Sequence, residues 1–210
     1  MLPIEVIGLF LAAAIVVTIT PGPDNLFVLT QSTLHGREAG LITTAGICCG
    51  ILLHTLAVAL GVAVLFQTSA LAFTTLKIAG VLYLLFLAWQ AFRASSYHST
   101  DQALPAVNRK GLFIRGALMN LTNPKVAIFF LAFLPQFVDP AYGSIILQTS
   151  LLGILFMVTT FLIFGGIAFT ASSIGAWLKE SAEAQKLLHR FSGVLFVGLA
   201  IRLATAGRNS

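Results

Sequence analysis

Thr20-Pro21-Gly22-Pro23-Asp24-Asn25 interrupts the first apolar stretch of the chain, and Leu121-Thr122-Asn123-Pro124-Lys125 interrupts another about a hundred positions later. Proline lacks a backbone donor and clashes with the preceding turn, so Pro21, Pro23 and Pro124 each free polar backbone groups that hydrocarbon cannot satisfy. Such breaks survive only where they face protein or a water-filled cavity. An ionisable side chain at membrane depth costs about 3 kcal/mol even on the lenient insertion scale, which makes Asp24 and Lys125 functional candidates. A broken helix beside a charge is the pattern of a binding site.

The surroundings are those of a bilayer protein: 58% of the 210 residues are hydrophobic, 9% are charged, and the mean hydropathy is +0.96. Soluble domains carry about 25% charged residues. The fold class expected is all-α, a polytopic bundle forming a single transmembrane domain over residues 1–210, with no separate catalytic module. A net charge of +5 could suggest nucleic acid, but the basic residues sit in short loops between apolar segments and report topology instead. The first segment lacks a basic leader and a small-residue cleavage site, and reads as a retained span. Cys48 and Cys49 are adjacent within an apolar run, as small packing residues, and form no disulfide framework.

Six spans follow in order. The first runs from about Ile4 to Thr33, 30 residues, or about 45 Å as continuous helix against a core of roughly 30 Å, which leaves room for a break inside the membrane. The second covers about Gly40–Phe66, where Gly46, Gly50 and His54 recur at intervals of four on one helix face. Gly46 and Gly50 are expected to admit another backbone closely, with Gly50→Leu disruptive and Gly50→Ala much milder. The third is about Ala70–Phe92, with Lys77 near one end and Trp89 and Arg93 near the other. A polar loop over 94–110 forms the midpoint. The fourth, Leu112–Val138, holds the second break and a phenylalanine run read as lipid-facing and packing surface. It closes at the turn Asp139-Pro140-Ala141-Tyr142-Gly143. The fifth, Ile145–Ala171, is loosened by Gly165-Gly166, and a loop containing Lys179 and Glu180 leads to the sixth, Phe191–Ala206.

Asp24 precedes Glu38 by 14 residues and Lys125 precedes Asp139 by 14. Each half, about 1–93 and 111–210, reads as one broken span and two plain ones, and three being odd, the repeat must be inverted: a 3+3 arrangement with helices 1 and 4 broken. The loops after spans one, three and five carry eight lysines and arginines against three on the opposite side. The positive-inside bias places those loops in the cytoplasm and both termini in the periplasm.

With the first motif, the Gly46, Gly50, His54 spacing, Asn123-Pro124-Lys125-Val126-Ala127, and Phe133-Leu134-Pro135-Gln136-Phe137 downstream, the chain resembles the LysE/RhtB family of bacterial amino-acid exporters over essentially its whole length. The resemblance implies a secondary transporter in the bacterial inner membrane that exports amino acids or their derivatives, driven by the proton motive force. The RhtB-like members, to which it looks most similar, handle neutral amino acids such as homoserine, threonine and leucine.

A zwitterionic substrate needs a cation or helix N-terminus for its carboxylate, and a carboxylate or helix C-terminal carbonyls for its ammonium. Asp24 and Lys125 supply the two charges, Asn25, Asn123 and His54 the polar neighbours, and Pro21, Gly22, Pro23 and Pro124 the breaks. In the empty site Asp24 and Lys125 are expected to pair with each other and to exchange partners with substrate, with protonation of Asp24 giving the coupling. Other readings stay open: Asp24 as N-cap of the resumed half-helix, Lys125 snorkelling to an interface against its position some 13 residues from each end of span four, and His54 as a packed neutral ring. A thioredoxin-reductant type redox relay is the alternative function, along with export of another small metabolite; the relay needs thiols in separate helices. An enzyme is not expected, nor a metal or other cofactor, since His35, His54, His98 and His189 lie in separate segments. The partners expected are the amino acid, protons and the bilayer, and the small size of the chain leaves room for a homodimer.

Overall fold

The computed structural model describes residues 2–68 and 108–180, together with isolated helical positions within 74–93 and 183–204; side chains are described outside 62–68 and 172–180. The third and sixth spans and the midpoint loop therefore lie largely outside the described residues. The described elements are all helical: α1 (Ile4–Ile19), α2 (Pro23–His35), α3 (Arg37–Thr68), α4 (Arg109–Thr122), α5 (Pro124–Ile128), a π turn over Phe129–Phe133, 3-10 turns over Leu134–Phe137 and Pro140–Tyr142, and α6 (Ile145–Glu180).

Proline sets both breaks. The residue before a proline is pushed out of the α region, so Asn123 before Pro124 is extended at ψ 108°, and Thr20 before Pro21 leaves the helix at ψ 126°. Pro23 and Pro124 then stand at the starts of α2 and α5, where a missing N–H costs nothing. The chain bends by 58° between α1 and α2 and by 53° between α4 and the segment that follows. Arg37–Gly61 and Ile145–Ala171 are long and apolar enough to cross a membrane, and each bent pair adds one more span if its two parts are counted together.

Two span boundaries, the glycine pair of span five and the setting of the phenylalanine run differ from the sequence reading. Asn108 caps the fourth span by accepting from the Gly111 amide at 2.6 Å, which starts that helix at Arg109 rather than Leu112. α6 runs unbroken through Gly165-Gly166 and on to Glu180, so Lys179 and Glu180 extend a helix rather than a loop. Neighbouring apolar residues carry the helix past the glycines. The phenylalanine run does not face lipid: Phe129, Phe130 and Phe133 are at most 2% exposed. They pack with Phe10 and Phe156, with ring centroids 5.0 Å apart for Phe129 and Phe156 and 5.2 Å for Phe130 and Phe156. Phe129, Phe130, Phe133 and Phe137 stand at i, i+1, i+4 and i+8, one face of a helix, and that face is turned to the core while Leu131 is exposed.

Gly46 and Gly50 lie where α3 meets α4. A Cβ at Gly46 would collide with the Phe113 carbonyl, and one at Gly50 would come within 2.7 Å of Asn120 Oδ1 and 2.9 Å of Asn120 Cβ. Gly116 returns the approach from α4 against the Thr43 carbonyl. Both glycines sit at a close helix approach, and because the first added carbon at Gly50 already meets Asn120, Gly50→Ala is expected to be costly rather than mild. Across the same pair of helices, Arg109 and Glu38 form an exposed ion pair at 2.6 Å that brings the starts of α3 and α4 to one end of the bundle.

Candidate functional site

An α-helix ends with carbonyls that have no partner within the helix, and at α1 those carbonyls end inside the protein. Val16 O accepts from the Thr20 amide at 2.9 Å and the Thr20 hydroxyl at 2.7 Å. Thr18 O accepts from Asn25 Nδ2 at 2.7 Å, and Ile19 O from the same group at 3.5 Å. Val17 O and Thr20 O both accept from Lys125 Nζ, at 3.0 and 2.9 Å. The freed backbone of the first break is thus closed by one asparagine from α2 and by the lysine of the second break.

Lys125 does not snorkel; it is 7% exposed and directed at the negative end of α1. A cation at a helix C-terminus in partly buried geometry gains up to about 2 kcal/mol. Nor does it form the expected ion pair with Asp24, for the ammonium is committed to the carbonyls and no N–O distance between the two falls within bonding range among the described residues. Two carbonyls at a helix end offer Lys125 two hydrogen bonds, and Asp24 lines the same cavity. Gly22 allows this approach: a Cβ there would stand 3.0 Å from Nζ.

Asp24 is 2% exposed. Its capping reading is also corrected, because Gly22 holds the N-cap position and Asp24 lies one residue past Pro23 in the first turn of α2, favourable for a carboxylate by virtue of the helix dipole. Its Oδ2 accepts from Asn120 Nδ2 at 2.8 Å, while Oδ1 is buried without a hydrogen-bond partner. Asn123 Nδ2 is likewise buried without a hydrogen-bond partner. Asn123 itself caps α5, its Oδ1 accepting from the Lys125 amide at 3.0 Å.

The two breaks are therefore reciprocal. Each resumed helix opens with proline followed by a charge, Pro23-Asp24 and Pro124-Lys125, and each charge is held by the end of the other broken helix. Asp24 and Lys125 line a cavity of about 10 Å³, with Thr18, Asn120, Phe156 and Thr160 among the other walls. That is room for about one water. Among the described residues this cavity is too small for an amino acid, which could enter it only if the helices part.

His54 is half-buried, stacked on Phe130 with centroids 5.7 Å apart, and its Nε2 is 3.4 Å from the Asn120 carbonyl. It supports the second break from outside the cavity. Sequence reasoning missed Asn120 as a site residue, although an asparagine three positions before Asn123 in an apolar span was the available signal. It also missed the hydroxyl pair Thr18 and Thr160, 3.4 Å apart across 142 positions, for which no local pattern exists.

Residues 15–207 match the family described as LysE type translocator. A homoserine/homoserine lactone efflux protein of Salmonella typhimurium is 32% identical over 197 residues, covering 94% of this chain and 95% of the relative. A leucine efflux protein of Salmonella choleraesuis is 34% identical over 202 residues, 93% of each. An uncharacterized membrane protein of Pseudomonas aeruginosa is 31% identical over 204 residues, 94% of each. No solved structure matches. With its apolar helices and a match over nearly its whole length, the chain belongs to the LysE type translocator family, and is a membrane transporter rather than an enzyme.

Proposed function

We propose that this protein exports neutral amino acids or their derivatives from the cytoplasm across the bacterial inner membrane, driven by the proton motive force. The observation that carries the reading is the pair of buried opposite charges, Asp24 and Lys125, held by reciprocal helix ends around a water-sized cavity. Ionisable side chains at membrane depth are costly and rare, and where they occur they mark substrate or ion pathways. The relatives named for efflux of homoserine, its lactone and leucine point to the amino-acid class.

In this mechanism substrate enters as the broken helices part. The Asp24 carboxylate, with its unpaired Oδ1, meets the substrate ammonium, and Lys125 swings off α1 toward the substrate carboxylate. The uncapped start of α2 adds backbone donors near the same carboxylate. Asn25, Asn123 and His54 hold the two breaks in shape through the exchange. Protonation of Asp24 on one side of the membrane releases the ammonium and couples export to the gradient.

Similar bends of 58° and 53° and the matching proline-charge openings support a 3+3 inverted repeat, rocking about the junction of the breaks. The basic loops support cytoplasmic placement of the midpoint and periplasmic termini. A homodimer completes the proposal. The test is efflux of labelled homoserine, threonine and leucine from preloaded cells: expression should speed the exit of at least one, and no effect on any, with the protein present in the membrane, refutes the assignment.

A further inference from the structure

The Lys125 ammonium is a primary alkylammonium seated on two helix-end carbonyls beside a buried carboxylate. The ammonium of an amino acid is the same chemical group. We propose that Lys125 is a tethered stand-in for the transported amine: the carbonyls of Val17 and Thr20, next to Asp24, are the seat of the substrate's primary ammonium, which makes the ammonium the obligatory handle and the carboxylate dispensable. The inference rests on the exporter reading and deepens it.

Three observations build the seat. Val17 O and Thr20 O are the carbonyls of the first break whose only described partner comes from the other broken helix, whereas those of Val16, Thr18 and Ile19 are closed from within α1 and α2. Gly22 keeps the space around Nζ free of any side chain. Asp24, which lines the same cavity, keeps one buried oxygen without a partner. Lys125 reaches the seat on a flexible four-carbon stem, so it can leave without moving backbone.

An exchange of one ammonium for another never strands the carbonyls, and each hydrogen bond broken is replaced by one of the same kind. A molecule without a primary ammonium either finds the seat taken or leaves two buried carbonyls bare, which costs the full desolvation of each. Sites built around hydrogen bonds reject analogues lacking the bonded group by large factors. The proposal also fits the lactone named for the Salmonella relative, because a lactone keeps the ammonium and has no free carboxylate.

Two measurements on the purified full chain test this. In the first, unlabelled compounds compete with labelled leucine for the wild-type protein. Leucinamide, with its carboxylate neutralised, should compete within about tenfold of leucine, and N-acetylleucine, with its ammonium removed, should be weaker by about 100-fold or more. N-acetylleucine competing as well as leucine, or leucinamide failing alongside it, overturns the proposal. In the second, thermal unfolding of Lys125→Ala is followed with methylammonium, tetramethylammonium or sodium. Methylammonium alone should raise the midpoint, and should leave wild type unmoved because its seat is occupied. An equal response to tetramethylammonium, which has no N–H to donate, or none to methylammonium, overturns it. If leucine itself does not bind, leucine falls as substrate and the methylammonium result alone decides the seat; if Lys125→Ala does not fold in any condition, the competition decides it.

Discussion

A single methyl group at Gly50 should damage the site through Asn120. The added Cβ would stand 2.7 Å from Asn120 Oδ1, 2.9 Å from Asn120 Cβ and 3.1 Å from the Ala117 carbonyl. Overpacking of this kind costs about 1–3 kcal/mol. Pushing the Asn120 amide off Asp24 Oδ2 forfeits a hydrogen bond to a charged group, about 1.5–3 kcal/mol more. Gly50→Ala should therefore lose about 2.5–6 kcal/mol, measured by equilibrium unfolding in mixed micelles. Asn120→Gly removes both the oxygen and the Cβ that the new methyl meets, so Gly50→Ala added to Asn120→Gly should cost less than about 1 kcal/mol further, a coupling within the range of contacting pairs. Gly46→Ala meets the Phe113 backbone instead, and Asn120→Gly should not relieve it. Gly50→Ala within about 0.5 kcal/mol of wild type, where surface substitutions fall, or additivity of the two substitutions, would refute the reasoning.

Lys125→Met leaves Val17 O and Thr20 O bare and should lower stability by about 2–6 kcal/mol, at about 1–3 per buried acceptor, and abolish efflux; wild-type transport would remove Lys125 from the site. Asn25→Ala uncovers Thr18 O and Ile19 O and should lower the unfolding midpoint without altering which amino acids are exported, so a changed substrate profile at normal stability would contradict its structural role. A reporter fused after Ser210 should read as periplasmic and one inserted near Gln102 as cytoplasmic, and the reverse at both sites would invert the topology.

Both breaks were legible in sequence because proline acts locally: it forbids the α region to Thr20 and Asn123 and starts the next helix at Pro23 and Pro124, whatever packs around it. Gly46 and Gly50 were legible as a small-residue face for a similar reason. The partners of the charges were not. An expected Asp24–Lys125 pair follows from charge alone, yet the carbonyls that α1 leaves at its end compete for the lysine, and which carbonyls lie within reach is a property of two helices crossing. Asn120 and the Thr18–Thr160 pair were hidden likewise, since contacts across 96 and 142 positions leave no spacing to read. The spacing of Phe129, Phe130, Phe133 and Phe137 places them on one helix face, but in an all-apolar span hydropathy does not say whether that face meets lipid or protein.

The central claim, that Asp24 carries substrate and proton coupling, is tested most directly by Asp24→Asn in proteoliposomes loaded with labelled leucine or homoserine under an imposed proton gradient. Asparagine can still accept from Asn120 Nδ2 at the Oδ2 position, so the shape of the break and the amount of folded protein should stay near wild type. What disappears is the titratable charge. The account predicts that gradient-driven efflux falls to the level of empty liposomes; efflux at the wild-type rate, with the same dependence on the gradient, would contradict it.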